Sequence, residues 1–127
     1  MNAEGPKRAY EAEARTTQTL GRMLWKARHH YAVSDGAANL GCPGEAILPG
    51  ELFLAGIATC AIQLVEVFAQ EEGLPLQGAN VAVWGDIDPA NQPRSDVTLF
   101  TTVGLDFEFV GVAQDQAEHL VERFKGR

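Results

Sequence analysis

The sequence is poor in cysteine and in positive charge. Two cysteines among 127 residues cannot make a disulfide scaffold. They are also too few for a structural zinc site without histidine help. Ten Lys and Arg face seventeen Asp and Glu, a formal charge of -7. Such an acidic chain has no ready route to a nucleic-acid phosphate backbone, so no nucleic-acid partner is expected. A Gly-rich phosphate loop, a Walker-type motif, a Ser/His/Asp arrangement and an internal repeat are all lacking. The opening Met-Asn-Ala-Glu-Gly-Pro-Lys-Arg has no apolar stretch of the secretory kind. The expectation is a cytoplasmic, reducing compartment in which free thiols persist.

What is present suits a soluble globular fold. Hydrophobic residues make up 46% and charged residues 21%, and the length fits one domain spanning residues 1–127. The charge is uneven. Residues 1–30 carry six cations against three carboxylates, whereas the rest carries four against fourteen. This reads as a basic strand or hairpin that pairs with acidic surface in its own chain or a partner's, since scattered cations make a poor nucleic-acid arm. Leu52–Ala69 approaches membrane-spanning length. It contains Gln63, Glu66 and many small residues and has no flanking Lys or Arg. It is therefore read as a core helix, and no membrane partner is expected.

Tyr10–Thr16 reads as a short edge strand. Met23–Val33 alternates as a strand, with Trp25, Ala27, His29, Tyr31 and Val33 on one face. Ser34–Gly36 has turn chemistry and Ala37–Leu48 is loop. Pro49 opens a helix running to about Gln70, with Glu51 where the helix dipole favours an anion. That helix is apolar almost all round, so it should be buried on most sides. One small sheet covers one face only, and a second subunit would cover the rest, which predicts a homodimer. Gly73 and Pro75 end the helix. Val81–Asp88 and Val97–Val110 read as a strand hairpin, and Ala113–Lys125 as an amphipathic helix. Asp86 and Asp88 read as a solvated strand face, and Trp25, Trp84, Phe100 and Phe107 as core or interface aromatics. The order predicts an α+β fold with a mostly antiparallel sheet around a long central helix.

Cys60 stands mid-helix among small residues. By composition alone it reads as a small core hydrophobe. The dipole effect fades within the first turn, so a reactive thiolate here needs a cation beside it. His29 and His30 are adjacent and would face opposite sides of a strand. A metal site would need His119 or a carboxylate to converge as well, and neither metal nor cofactor is expected.

The pattern Pro49-x-Glu-Leu-Phe-Leu-Ala-Gly-Ile-Ala-Thr-Cys60, with Gly73-Leu-Pro-Leu-Gln-Gly-Ala-Asn-Val-Ala-Val83 after it, resembles the OsmC/Ohr family. These are osmotically induced and organic hydroperoxide resistance proteins. His29-His-Tyr-Ala-Val-Ser-Asp-Gly36 and Gly41-Cys-Pro-Gly-Glu-Ala-Ile47 resemble the same family's strand and loop before the core helix. The resemblance covers roughly residues 10–127. It implies an intertwined homodimer with two central helices and wrapping sheets. It also implies a thiol peroxidase in oxidative stress defence, with Cys60 as peroxidatic thiol, an organic hydroperoxide as substrate, and a dithiol or lipoylated protein as reductant.

Three departures from the family pattern stand out. The family's resolving cysteine follows the last helix, whereas the sequence ends at Phe124-Lys-Gly-Arg127, which looks like the segment just before that cysteine and a last strand. Two readings stay open: a chain cut short, or a protein without the second half of the reaction. The family places a carboxylate directly after the helix-opening proline, where Gly50 stands here. Glu51 is the candidate substitute, although one helical step rotates a side chain by about 100°. The thiolate-stabilising arginine has two candidates, Arg22 and Arg28, each of which also reads as a surface strand residue. Cys42 reads as an incidental thiol or a non-standard resolving one. The alternative function is a non-catalytic, stress-associated binding dimer on the same fold.

Overall fold

Polar and glycine-containing segments break the strand-forming sequence into short hairpins, and one long helix stands between them. The structure, a computed structural model, describes residues 5–127. Residues 1–4, where the stretch read for a secretory leader begins, lie outside the described residues. The chain divides into two compact units, with the boundary between Leu52 and Phe53.

In the first unit, β1 (Glu13–Thr16), β2 (Arg22–Ala27) and β3 (His30–Asp35) form an antiparallel sheet in that order. The edge strand read at Tyr10–Thr16 is present in its last four residues. The single strand read over Met23–Val33 is a hairpin instead. Ala27 pairs with His30, and Arg28 and His29 make the two-residue turn. Arg28 takes φ 55, the positive value that primed hairpin turns require at a central position. No Gly, Asn or Pro marks this turn, so the alternation runs through it unbroken. The turn nevertheless changes the parity of the faces. Tyr31 and Val33 pair with Lys26 and Leu24, while Trp25 pairs with Ala32. Trp25 Nε1 donates to Ser34 Oγ at 2.8 Å on that second face.

Ser34 and Asp35 were expected in a turn, yet they complete β3 and are buried, at 3% and 0% exposure. Buried polar groups need partners: Ser34 has the Trp25 indole N–H, and Asp35 has Arg22. The loop to Leu48 contains one 3₁₀ turn at Ala38–Leu40.

Helix α1 (Pro49–Glu71) crosses the unit boundary. The second unit continues with β4 (Gly78–Asp86), β5 (Thr102–Val110) and α2 (Gln114–Lys125). β4 and β5 form the expected antiparallel hairpin, from Gly78 opposite Val110 to Asp86 opposite Thr102. The second strand starts at Thr102 rather than Val97, and Asp88 lies in the loop beyond β4. The reason is local competition for hydrogen bonds. Gln92 Oε1 accepts from Leu99 N at 2.7 Å, while Gln92 Nε2 donates to the carbonyls of Asp88 and Leu99. A side-chain amide thus occupies the position a neighbouring strand would take.

The core of this unit joins Val65, Phe68 and Ala69 of α1 to Leu120 of α2, with Leu76, Phe107 and Phe109 packed against them. Around its rim, Arg123 Nη1 donates to Glu72 at 2.8 Å and Arg123 Nη2 donates to Glu71. The Arg123 guanidinium also lies 4.0 Å over the Phe68 ring, a cation–π contact. His119 Nε2 approaches Glu72 Oε1 at 2.7 Å. Arg123 first, and then His119, hold the Glu72 carboxyl below the ordinary carboxylate range.

Helix α1 is long and apolar enough to cross a membrane by length and composition alone. Its C-terminal half instead packs into the unit's core. The expectation of near-complete burial is corrected for the single chain. Only Ala61, Val65, Phe68 and Ala69 are buried, while Phe53, Gly56, Thr59 and Cys60 are exposed. The β-hairpin and α2 cover one stripe of a helix whose apolar surface runs all round.

Candidate active site around Cys60

The uninterrupted α-helical run of Leu52–Phe68 carries Cys60 roughly three turns into α1. Its thiol is exposed, not buried as a small core hydrophobe would be. Beside it, Thr59 Oγ1 donates to the carbonyls of Ala55 and Gly56 at 3.0 and 3.1 Å, so that hydroxyl is satisfied within the helix. Cys60, Gly56 and Phe53 share a helical face, being spaced four and three residues apart. Cys60 does not line the groove of about 680 Å³ between α1 and β4, which runs past Ala58, Ile62, Glu66 and Val81.

Glu51 closes the start of α1. Its Oε1 accepts from the Leu48 backbone N–H at 2.8 Å. This is the reach-back half of a capping box, made by a glutamate three residues past the residue that precedes the helix. The structure therefore brings Glu51 to the helix N-terminus.

Arg22 is engaged by Asp35. Arg22 Nε and Nη2 donate to Asp35 Oδ1 and Oδ2 at 2.7 and 2.9 Å, a fork-to-fork pair. Glu45 Oε1 lies 3.5 Å from Nη2. Asp35 Oδ2 also accepts from the backbone N–H groups of Glu45 and Ala46, at 3.0 and 2.8 Å. The Arg22 hydrogen bonds, joined by those two amides, hold the Asp35 carboxyl well below the usual carboxylate range. Asp35 in turn raises Arg22 above its ordinary value. The pair fastens the hairpin to the loop that runs into α1. Reading Ser34–Gly36 as a turn concealed this role, and the signal lay in the strand alternation continuing through Asp35.

Arg28 is exposed in the β2–β3 turn rather than on a strand. His29 occupies the same turn and His30 opens β3, so the two do not sit on opposite faces of one strand. His119 is hydrogen-bonded to Glu72. Among the described residues no three His, Cys, Asp or Glu side chains converge as a metal ion would need. Cys42 is half-buried against the corners of the first sheet, where a Cβ on Gly21 or Gly36 would come within 2.4 or 2.6 Å of its Sγ.

A second feature escaped the sequence reading. Phe53 of α1 and Phe100 of the β4–β5 loop stack with ring centroids 5.2 Å apart and planes 9° from parallel. Residue types alone could not pair two phenylalanines so far apart in the chain.

Comparison with known proteins places this arrangement. No curated protein sequence matches the chain. The fold is similar to solved structures of an OsmC-like protein from Mycoplasma pneumoniae, 13% identical over 96% of this chain and 84% of that one, with a TM-score of 0.78. It is similar to an organic hydroperoxide resistance protein OsmC from Legionella pneumophila, 20% identical over 93% and 82%, with a TM-score of 0.71. It is also similar to an organic hydroperoxide resistance protein from Elizabethkingia anophelis, 17% identical over 92% and 81%, with a TM-score of 0.73. The long helix, the antiparallel hairpins and Cys60 all fall within this α+β fold, and the profile of the OsmC-like protein family matches residues 42–127, so the chain belongs to the OsmC-like family.

Proposed function

We propose that this protein is a cysteine-dependent peroxidase that reduces organic hydroperoxides, with Cys60 as the reacting thiol. The observation that carries the reading is an exposed cysteine midway along the central helix of an OsmC-like fold. Two structural relatives named as organic hydroperoxide resistance proteins supply the substrate class. The Cys60 thiolate attacks the terminal peroxide oxygen, the O–O bond breaks, and the departing alkoxide takes a proton to leave as an alcohol. Cys60 is left as a sulfenic acid. One thiol of a dithiol then forms a mixed disulfide with Cys60 and releases water. The second thiol closes the donor's own disulfide and frees Cys60. A small dithiol or a lipoylated protein completes this cycle without a second protein cysteine.

The two units act as parts of one OsmC-like domain, and the working form is a cytoplasmic homodimer whose second copy covers the exposed apolar surface of α1. Arg22 and Arg28 are the candidate cations for the thiolate, and Glu51 is the candidate carboxylate.

The engagements of Glu51 at the helix start and of Arg22 with Asp35 favour a second reading, a stress-associated binding dimer without efficient catalysis. Consumption of cumene hydroperoxide with dithiothreitol separates the two. The peroxidase reading expects turnover that Cys60→Ser lowers by at least about a hundredfold. It also expects rapid labelling of Cys60 by a sulfenic-acid trap at low peroxide. Peroxide consumption no faster than the protein-free background in wild type and Cys60→Ser alike, with no trapped adduct, overturns the peroxidase reading and favours the binding one.

A further inference from the structure

The β4–β5 hairpin has two faces, and the strand period of two divides its side chains between them. Ala79, Phe107 and Phe109 pack against the core that α1 and α2 share. Trp84 and Asp86 of β4 share the opposite face with Gly104, Asp106 and Glu108 of β5, and Trp84 stands directly across from Gly104. An indole on the outer face of a sheet calls for an explanation, because large aromatic side chains are mostly spent in cores or at interfaces. Trp84 is 47% exposed. Gly104 gives it a seat, since a Cβ there would collide with Cε2 and Cζ2 of the indole. The ring rests against the β5 backbone, which holds it in place without hiding it.

The charge around the ring is of one sign. Asp106 lies diagonally across the ladder from Trp84, and Asp86 lies two residues along Trp84's own strand, each at a spacing of roughly 7 Å. Glu108 follows Asp106 on the same face. All three carboxylic residues are exposed. Among the described residues, none of the three is ion-paired. Arg94 is the one Lys or Arg between Gly73 and Glu122, and it pairs with Asp96.

An open indole face with carboxylates beside it is chemistry that receives a cation. Guanidinium suits it best, because that group is planar, stacks on aromatic rings and binds carboxylates through its fork. One aromatic wall is not a cage, so a lone ammonium ion gains little here. Gly104, Asp106 and Glu108 instead repeat at the spacing of alternate side chains on an extended chain. We infer that this face of the hairpin docks an extended basic segment of a partner protein, with one arginine stacked on Trp84 and the next two alternate arginines against Asp106 and Glu108. The surface lies apart from the Cys60 chemistry and does not depend on the peroxidase reading.

Isothermal titration calorimetry of the full chain tests this with the peptide Ser-Arg-Ser-Arg-Ser-Arg-Ser and its citrulline counterpart, which keeps the shape and removes the charge. The expected result is saturable binding of the arginine peptide that weakens as salt rises, and none of the citrulline peptide. Trp84→Leu should weaken the arginine peptide about fivefold, and Asp106→Asn combined with Glu108→Gln about tenfold. Asp115→Asn removes an exposed carboxylate of α2 and should stay within about twofold of wild type. Far-UV circular dichroism checks each fold, and the Asp106/Glu108 variant decides alone if Trp84→Leu does not fold. No binding of the arginine peptide, equal binding of the citrulline peptide, unchanged affinity in Trp84→Leu or in the Asp106/Glu108 variant, or an equal loss in Asp115→Asn overturns the inference.

Discussion

Asp35 is the residue whose replacement discriminates most among roles within the first unit. It is fully buried and its carboxylate receives four hydrogen bonds, two of them from Arg22. Replacing it with Asn keeps the shape but removes the charge opposite Arg22. Breaking one side of a buried ion pair is more damaging than losing an exposed one. Asp35→Asn is therefore expected to lower the thermal midpoint more than Lys26→Gln, whose partner Glu13 is exposed. Differential scanning calorimetry of the two variants checks this. The pH dependence has a definite sign. The folded Asp35 carboxyl is depressed below its unfolded value, and Glu72 is depressed too. Their stabilisation is complete above the unfolded value of about 4 and is lost as pH falls through and below it. The thermal midpoint should be level from neutrality to about pH 5 and drop below about pH 4. Asp35→Asn should flatten part of that drop, leaving the share due to Glu72.

At the scale of elements, helix α2 is attached to α1 through one buried residue and a polar rim. Leu120 is fully buried among Val65, Phe68 and Ala69. Truncating a buried leucine removes its transfer energy and leaves a cavity, so Leu120→Ala should cost about 3 kcal/mol in a denaturant titration. The rim is partly exposed, and Arg123→Gln should cost less despite its two carboxylate partners. The β4–β5 loop depends on Gln92 in a different way. Gln92→Ala removes three hydrogen bonds that stand in for a strand ladder. Hydrogen exchange across residues 88–101 should quicken, with the exchange of β4 and β5 themselves unchanged.

The sequence made most of these elements legible because their signals are local. Pro49, Glu51 and the apolar run of Leu52–Phe68 define a helix wherever the chain places it, and the α1 bounds agree with the expectation to within one residue. The β4–β5 hairpin was legible from its alternation and its polar connection. The β2–β3 hairpin was not, because Arg28 adopts a left-handed conformation that its residue type does not advertise. The position of Cys60 midway along α1 was legible from the apolar run of that helix. The engagements of Arg22 and Glu51 were not legible, since each depends on a partner brought near by folding.

At the scale of the whole molecule, the proposed homodimer rests on exposed apolar surface. Large apolar side chains remain exposed along the chain, among them Phe53, Val67, Trp84 and Leu99. Residues 1–30 carry six cations against three carboxylates and the remainder four against fourteen, although Arg22 and Lys26 already pair with carboxylates of their own chain. Light scattering after size exclusion should give twice the chain mass of 13.7 kDa. A monomer at micromolar concentration would remove the homodimer from the proposal and leave the Cys60 chemistry to be judged by its own assay.

By itself the sequence determined the α+β class, the long apolar helix, the hairpin that follows it and the thiol in the helix's middle. Each of these rests on periodicity or on residues adjacent in the chain, whose physics is local. Only the tertiary structure decided that Asp35 is a buried anchor for Arg22, that Gln92 replaces a strand, and that Phe100 stacks on Phe53 above a missing Gly85 side chain. Those contacts join positions far apart in the chain, and their strength comes from burial and exact partner geometry, which exist only once the chain has closed on itself.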